Sequence, residues 1–230
     1  VHWPPDPSPR LAYELEESQD SVTMKLKSFA VQVALDTGAI TYLGRDGSTL
    51  VREPAAGGRS MEEVTVYRNE FSGDGDLQET HSVDGVKVTG GEFRTVEDRK
   101  AYHAQVKFVF GDEGLYGFGS HAAGYGHLRG KSRQLYPQNM KACAPRFVST
   151  KGYGFLFDCG SLMTFEDNAY GSYVWMDVVD QLDYYFMAGA NYKAVLGAYR
   201  RLTGSAPMVP KWAFGYGQSK EFYKSSQELL

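Results

Sequence analysis

At 230 residues and 25.6 kDa, the chain can bury one sizeable core, as one large β domain or as a domain with a fragment attached. Its 42% hydrophobic and 23% charged residues are those of an ordinary globular protein, and a formal net charge of −4 gives no whole-chain attraction to nucleic acid or to an anionic membrane. No apolar run approaches the roughly 20 residues of a membrane span and no signal-peptide pattern is visible, so no membrane partner is expected and a cytoplasmic location is favoured.

The first residues, with Pro4, Pro5, Pro7 and Pro9, predict an extended entry segment. Strand signals follow with period two. Val22, Met24 and Leu26 alternate with Thr23, Lys25 and Lys27, and Phe29, Val31, Val33 and Leu35 continue the apolar face after a slip. A turn at 36–38, a strand over 40–43, a second turn at 45–47 and a strand at 50–51 predict short antiparallel strands joined by hairpins. Further strands are expected over 64–67, 83–88 and 102–110, while glycines and charges between Gly57 and Gly91 predict exposed loops. Later strands are expected over 146–150, 153–158, 172–177 and 182–188, a spacing typical of a sandwich or barrel.

One helix is expected next. Val195, Tyr199 and Leu202 recur at helical spacing, with Asn191 as cap and Gly204 as stop. Pro207 and Pro210 separate it from an apolar strand over 212–218. Ser225 and Glu228 have the spacing of a capping box and predict a helix start before Leu230. This order predicts a mainly β fold: a β-sandwich domain with its connecting helix over 1–205, then, over 206–230, the first βα element of a truncated (β/α)8 barrel continuing beyond this chain.

Several catalytic patterns fail. GFGSHA at 117–122 meets the loose dinucleotide fingerprint, but no helix pattern follows it and no acidic residue appears between it and Asp158 to hold a ribose. The stretch from Gly124 to Ser132 resembles a phosphate loop with one residue too many between its glycines. His2, His81, His103, His121 and His127 lack metal-ligand spacing, and Cys143 and Cys159 make neither a disulfide framework nor a zinc site. The carboxylates, among them Glu62, Glu63, Asp74, Asp76, Glu166, Asp167, Asp177, Asp180 and Asp183, are expected in turns and on the surface. No metal, no cofactor and no acid/base pair is predicted.

One stretch stands out. Positions 120–157 hold no Asp or Glu, yet carry Arg129, Lys131, Arg133, Lys141, Arg146 and Lys151. Together with the interleaved Gly, Tyr, Asn and Gln, this predicts a long polar loop, either functional or a solvated basic surface. If it receives an anionic sugar or an acidic partner, binding should weaken as salt rises.

The motifs that remain resemble glycoside hydrolase family 31. They are RFVSTKGYGFLFD at 146–158, LDYYFMAG at 182–189, YRRLTG at 199–204 and PKWAFGYGQS at 210–219, with LYGFG at 115–119 upstream and a weaker match at Thr37 to Ile40. The resemblance covers 115–230 well and 29–51 loosely. It implies a galactose-mutarotase-like β-sandwich followed by a catalytic (β/α)8 barrel, with a sandwich loop reaching over the barrel mouth. The acid-free segment before Arg146 is the candidate for that loop.

The resemblance further implies a retaining double displacement by a nucleophilic Asp and an acid/base Asp, about 5–5.5 Å apart, on later barrel strands. Both would lie after Leu230, so it assigns no catalytic residue to this chain and predicts that these residues alone are inactive. Asn139 and Met140 in the loop, with Gln218 and Phe222 past the expected strand, are the candidate substrate-binding residues. The implied function is the N-terminal part of an α-glycosidase acting on α-glucosidic bonds in oligosaccharides, with the rest of the barrel as partner. An α-glucosyl transferase of the same family and a non-catalytic carbohydrate-binding sandwich are the alternatives.

Overall fold

A computed structural model describes residues 12–73, 78–82, 85–138, 140–217 and 223–229. The alternating segments near the start form β1 (Glu14–Glu17), β2 (Ser21–Lys25), β3 (Phe29–Ala34), β4 (Ile40–Gly44) and β5 (Thr49–Arg52), an antiparallel sheet in chain order. Its two expected hairpin turns are present, with Gly38 and Gly47 supplying the left-handed residues. Next come β6 (Arg59–Phe71), β7 (Gln78–Ser82), β8 (Gly85–Gly90) and β9 (Phe93–Phe108). The loops expected between Gly57 and Gly91 are therefore largely strand. The strands expected over 64–67 and 83–88 fall within β6 and overlap β8, but the flanking residues are mostly exposed and polar and show no apolar alternation, while the backbone is satisfied by ladder pairing.

The remaining strands are β10 (Leu115–His121), β11 (Ser132–Leu135), β12 (Lys141–Ser149), β13 (Tyr153–Phe157), β14 (Met163–Asn168), β15 (Gly171–Val179) and β16 (Tyr184–Ala188). They assemble into a four-stranded sheet, β10-β12-β13-β16, and a five-stranded sheet, β11-β14-β15-β9-β6. The apolar faces of these two sheets share one core. Phe118, Phe147, Phe155 and Phe157 come from the first; Val106, Phe108, Met163, Phe165, Val174 and Met176 come from the second. Rings meet across the layers, Phe108 against Phe155 at 5.0 Å and Phe118 against Phe165 at 5.2 Å between centroids. Burying one such ring stabilises the fold by about 2–3 kcal/mol, which explains the high Phe content. Every residue of β13 is buried, as the unbroken apolar run FLF requires.

The chain divides into two compact units. Val1–Val64 with Lys100–Gly204 holds this core; Thr65–Arg99 with Ser205–Leu230 forms the other. In the second unit the outer halves of β6 and β9 are tied by Arg68–Asp98 and Arg94–Glu70 ion pairs, each 3.1 Å, and by Phe71 against Phe93. Such exposed pairs are each worth well under about 1 kcal/mol.

The helix α1 (Tyr192–Thr203) follows its sequence signals at both ends. The Asn191 side chain accepts a hydrogen bond from the Ala194 amide at 3.0 Å, Gly204 ends the helix at φ 84°, and Arg200 and Arg201 face the negative end of the dipole. Val195 anchors it against Leu156 and Met187, while the Arg146 guanidinium lies over the Tyr199 ring at 4.5 Å.

Of the strand expected over 212–218, Gln218 lies outside the described residues and the rest is not strand. Lys211–Phe214 is one 3-10 turn after Pro210, and the described residues from there to Gly217 are irregular. A strand needs a neighbour for its amides and carbonyls, and among the described residues none pairs with this segment. Trp212, Phe214 and Tyr216 are consequently 80%, 74% and 92% exposed. We expect this patch to drive self-association. Replacing Trp212 and Phe214 with Ser should lower the average mass seen by light scattering; an unchanged distribution would show that the patch plays no part.

The short α2 (Ser226–Leu229) starts where the capping box predicts. Ser225 Oγ accepts from the Glu228 amide at 3.3 Å, and the Glu228 carboxylate accepts from the Lys224 amide at 2.8 Å.

Candidate functional site

The candidate site begins at the connection between β11 and β12. The Lys141 amide donates to the Gln138 carbonyl at 2.9 Å, closing a tight turn. Met140 sits in it with φ 63° and is 78% exposed. A non-glycine residue in this region costs about 1–2 kcal/mol, so the turn holds an apolar side chain in water at an energetic cost. Of the four candidate residues only Met140 can be placed; Asn139, Gln218 and Phe222 lie outside the described residues.

Below the turn, β10 and β12 approach unusually closely. Gly117, Phe118 and Gly119 all have positive φ, 142°, 62° and 94°, and the strand register shifts between the two glycines. A Cβ on Gly117 would lie 2.5 Å from the Arg146 carbonyl oxygen; on Gly119 it would lie 1.9 Å from that of Ala142. The bulge turns the Phe118 side chain fully into the core. The glycines that mimic a dinucleotide fingerprint are thus required by strand packing.

The acid-free segment is not one long loop, because β11 and most of β12 lie within it. Several of its cations are matched by groups distant in sequence. Arg129 binds Asp167 at 2.8 Å, donates to the Gly111 carbonyl at 2.6 Å and lies over Phe110. Lys151 is 3.3 Å from Glu113, a fully buried carboxylate that also accepts from the Tyr153 hydroxyl at 2.7 Å. Arg133 is buried, stacked on Tyr125 at 4.8 Å, with its Nε unbonded among the described residues.

Asp167, which sequence reasoning left on the surface, and Glu113, which it did not single out, are the organising acids. The one hint was the basic run itself, which implied carboxylates elsewhere. Burial opposes ionisation of Asp167, but hydrogen bonds from Ser172, the Gly130 amide and Arg129 outweigh it and hold the carboxyl below its ordinary value. Burial pushes the Cys143 and Cys159 thiols up, which keeps both protonated at neutral pH. Among the described residues no three His, Cys, Asp or Glu side chains gather as a metal site. No helix there is long and apolar enough to cross a membrane.

No protein-family model matches the chain. It is 30% identical over 232 residues to an alpha-xylosidase of Saccharolobus solfataricus, covering 95% of this chain and 32% of that protein. An uncharacterized family 31 glucosidase of Pseudescherichia vulneris is 26% identical, over 94% of this chain and 40% of its own length. Among solved structures, a glycoside hydrolase family 31 alpha-xylosidase from a soil metagenome, complexed with xylose, superposes with a TM-score of 0.64 at 23% identity, over 93% of this chain and 30% of that one. The likeness to these solved structures is one of mainly β fold. Over most of its length the chain is similar to family 31 glycosidases, and it spans 32% and 40% of the curated relatives described.

Proposed function

We propose that these residues are the N-terminal part of a retaining α-glycosidase that cleaves α-glucosidic bonds in oligosaccharides, using two carboxylates of a barrel outside this chain. In this reading residues 1–205 form the scaffold, 206–230 lead into the barrel, and the barrel is the partner. The Met140 turn would form one wall of the sugar site, and Asn139, Gln218 and Phe222 are the other residues proposed to bind substrate. The observation that carries the reading is the similarity to an alpha-xylosidase across 95% of the chain and to a family 31 glucosidase across 94% of it.

A second reading, cleavage of α-xylosides, is favoured by the name of that same relative. The two substrates differ by a hydroxymethyl group, a difference a pocket converts to about 10–200-fold in kcat/KM. The test offers p-nitrophenyl α-glucoside and α-xyloside to the full-length protein that carries these residues, following product anomer by NMR. Turnover with retention supports the reading, and the faster substrate decides between glucose and xylose. Inversion, or no turnover on either, removes it. Met140→Ala in the same protein should raise KM about fivefold with little change in kcat, because it removes apolar contact to bound sugar and no reacting group. An unaltered KM would take Met140 out of the site.

A further inference from the structure

A concavity of about 750 Å³ opens on the first unit between the β3–β4 turn, the chain from Glu53 to Met61, Tyr102 of β9, and the segment joining β15 to β16. That volume is within the range of small-molecule sites, about 300–1,000 Å³. Its base is held rigidly. Glu53, 3% exposed, accepts from the Ile40 amide at 3.1 Å and the Tyr184 hydroxyl at 3.4 Å, and lies 3.3 Å from Arg59 Nε. Arg59 also donates to the Gly38 carbonyl, so its guanidinium is anchored at two points. Gly58 lets the chain pass directly over the acid, since a Cβ there would sit 2.9 Å from that of Glu53.

The lining chemistry selects the ligand. The cation Arg59 is already matched by Glu53, and Asp180 also lines the opening, so no positive charge is left over for a phosphate or carboxylate. The Glu53 carboxylate is in turn committed to Arg59, the Ile40 amide and the Tyr184 hydroxyl, which leaves it little for a cation. What the rim offers is a mixture of planar donors and acceptors, Arg59, Gln181 and Asp180, with the Thr37 hydroxyl, beside the apolar faces of Tyr102 and Leu182. Adjacent hydroxyls on a ring are both donors and acceptors, and a sugar's C–H face packs on an aromatic side chain.

From this lining we infer that the concavity binds a neutral glycosyl unit. The inference goes beyond the proposed hydrolytic role, and binding alone tests it. The chain, labelled with nitrogen-15, would be titrated with maltotriose while its amide signals are followed. Saturable shifts are expected at 37–39, 53–61 and 180–182. Gln181→Ala and Thr37→Ala, both exposed positions, should each weaken binding by about five- to tenfold; the first should leave the melting temperature unchanged, and the second should lower it slightly because the Thr37 hydroxyl also accepts from the Ala39 amide at 3.3 Å. Absence of saturable shifts, shifts confined to other regions, or parental affinity in both variants would overturn the inference. Stronger shifts of the same amides by inorganic phosphate would overturn it too, by revealing an anion site.

Discussion

Replacing Gly119 with alanine should cost at least about 4 kcal/mol, or prevent folding outright. The added Cβ would stand 1.9 Å from the Ala142 carbonyl oxygen and 2.9 Å from two further backbone atoms, so no side-chain rotation can relieve the clash. The β10–β12 ladder would have to open, exposing Phe118 and Phe147 at the centre of the core. Positive φ at this position adds about 1–2 kcal/mol for any residue with a Cβ. Against a total stability of about 5–15 kcal/mol, this is a large loss. Gly126→Ala, with nothing within 4 Å of its Cβ, serves as the control and should stay within about 0.5 kcal/mol of the parent. Urea midpoints decide the matter. A soluble Gly119→Ala protein unfolding at the parental midpoint would refute the packing argument, whereas insoluble product beside a normal control agrees with it.

Asp167→Ala should be the most damaging change among the charged residues, at about 3–5 kcal/mol. It strips a half-buried Arg129 of its carboxylate and leaves the Gly130 amide and the Ser172 hydroxyl without their acceptor. The sign with pH follows from the depressed carboxyl. Its folded value lies below the unfolded one, near about 3.9, so its stabilisation is complete above that pH and is lost as pH falls through the folded value. Asp167→Asn should therefore be destabilised at neutral pH and show a shallower loss of stability than the parent on acidification below about pH 4. Parallel curves for parent and variant would mean that Asp167 is not held ionised by these partners.

The same two sites mark the boundary between what could be read along the chain and what could not. Strands β2 to β5 were legible because one face is apolar at period two and glycines sit at the turns. Helix α1 was legible because Asn191 and Gly204 punctuate it. Val86 and Val88 likewise revealed part of β8, whereas β7, with the sequence QETHS, has no apolar residue to reveal it. The expected strand over 212–218 failed for the opposite reason: its residues are apolar enough, but no described strand pairs with it.

The candidate site divides similarly. Motifs marked the family and the exposed turn, but not why those motifs exist; Gly117 and Gly119 are explained only by the backbone they approach. The basic segment looked unpartnered because its acids lie far away in sequence: Arg129 and Asp167 are 38 residues apart, and the pair that braces the Glu53 concavity, Tyr184 with Glu53, is 131 apart. Local patterning along the chain decided the strands, caps and turns, because side-chain periodicity and backbone conformation are properties of neighbouring residues. Charge matching, close strand approach and concavities were decided by the tertiary fold, because each arises where segments distant in sequence compete for the same space and the same hydrogen bonds.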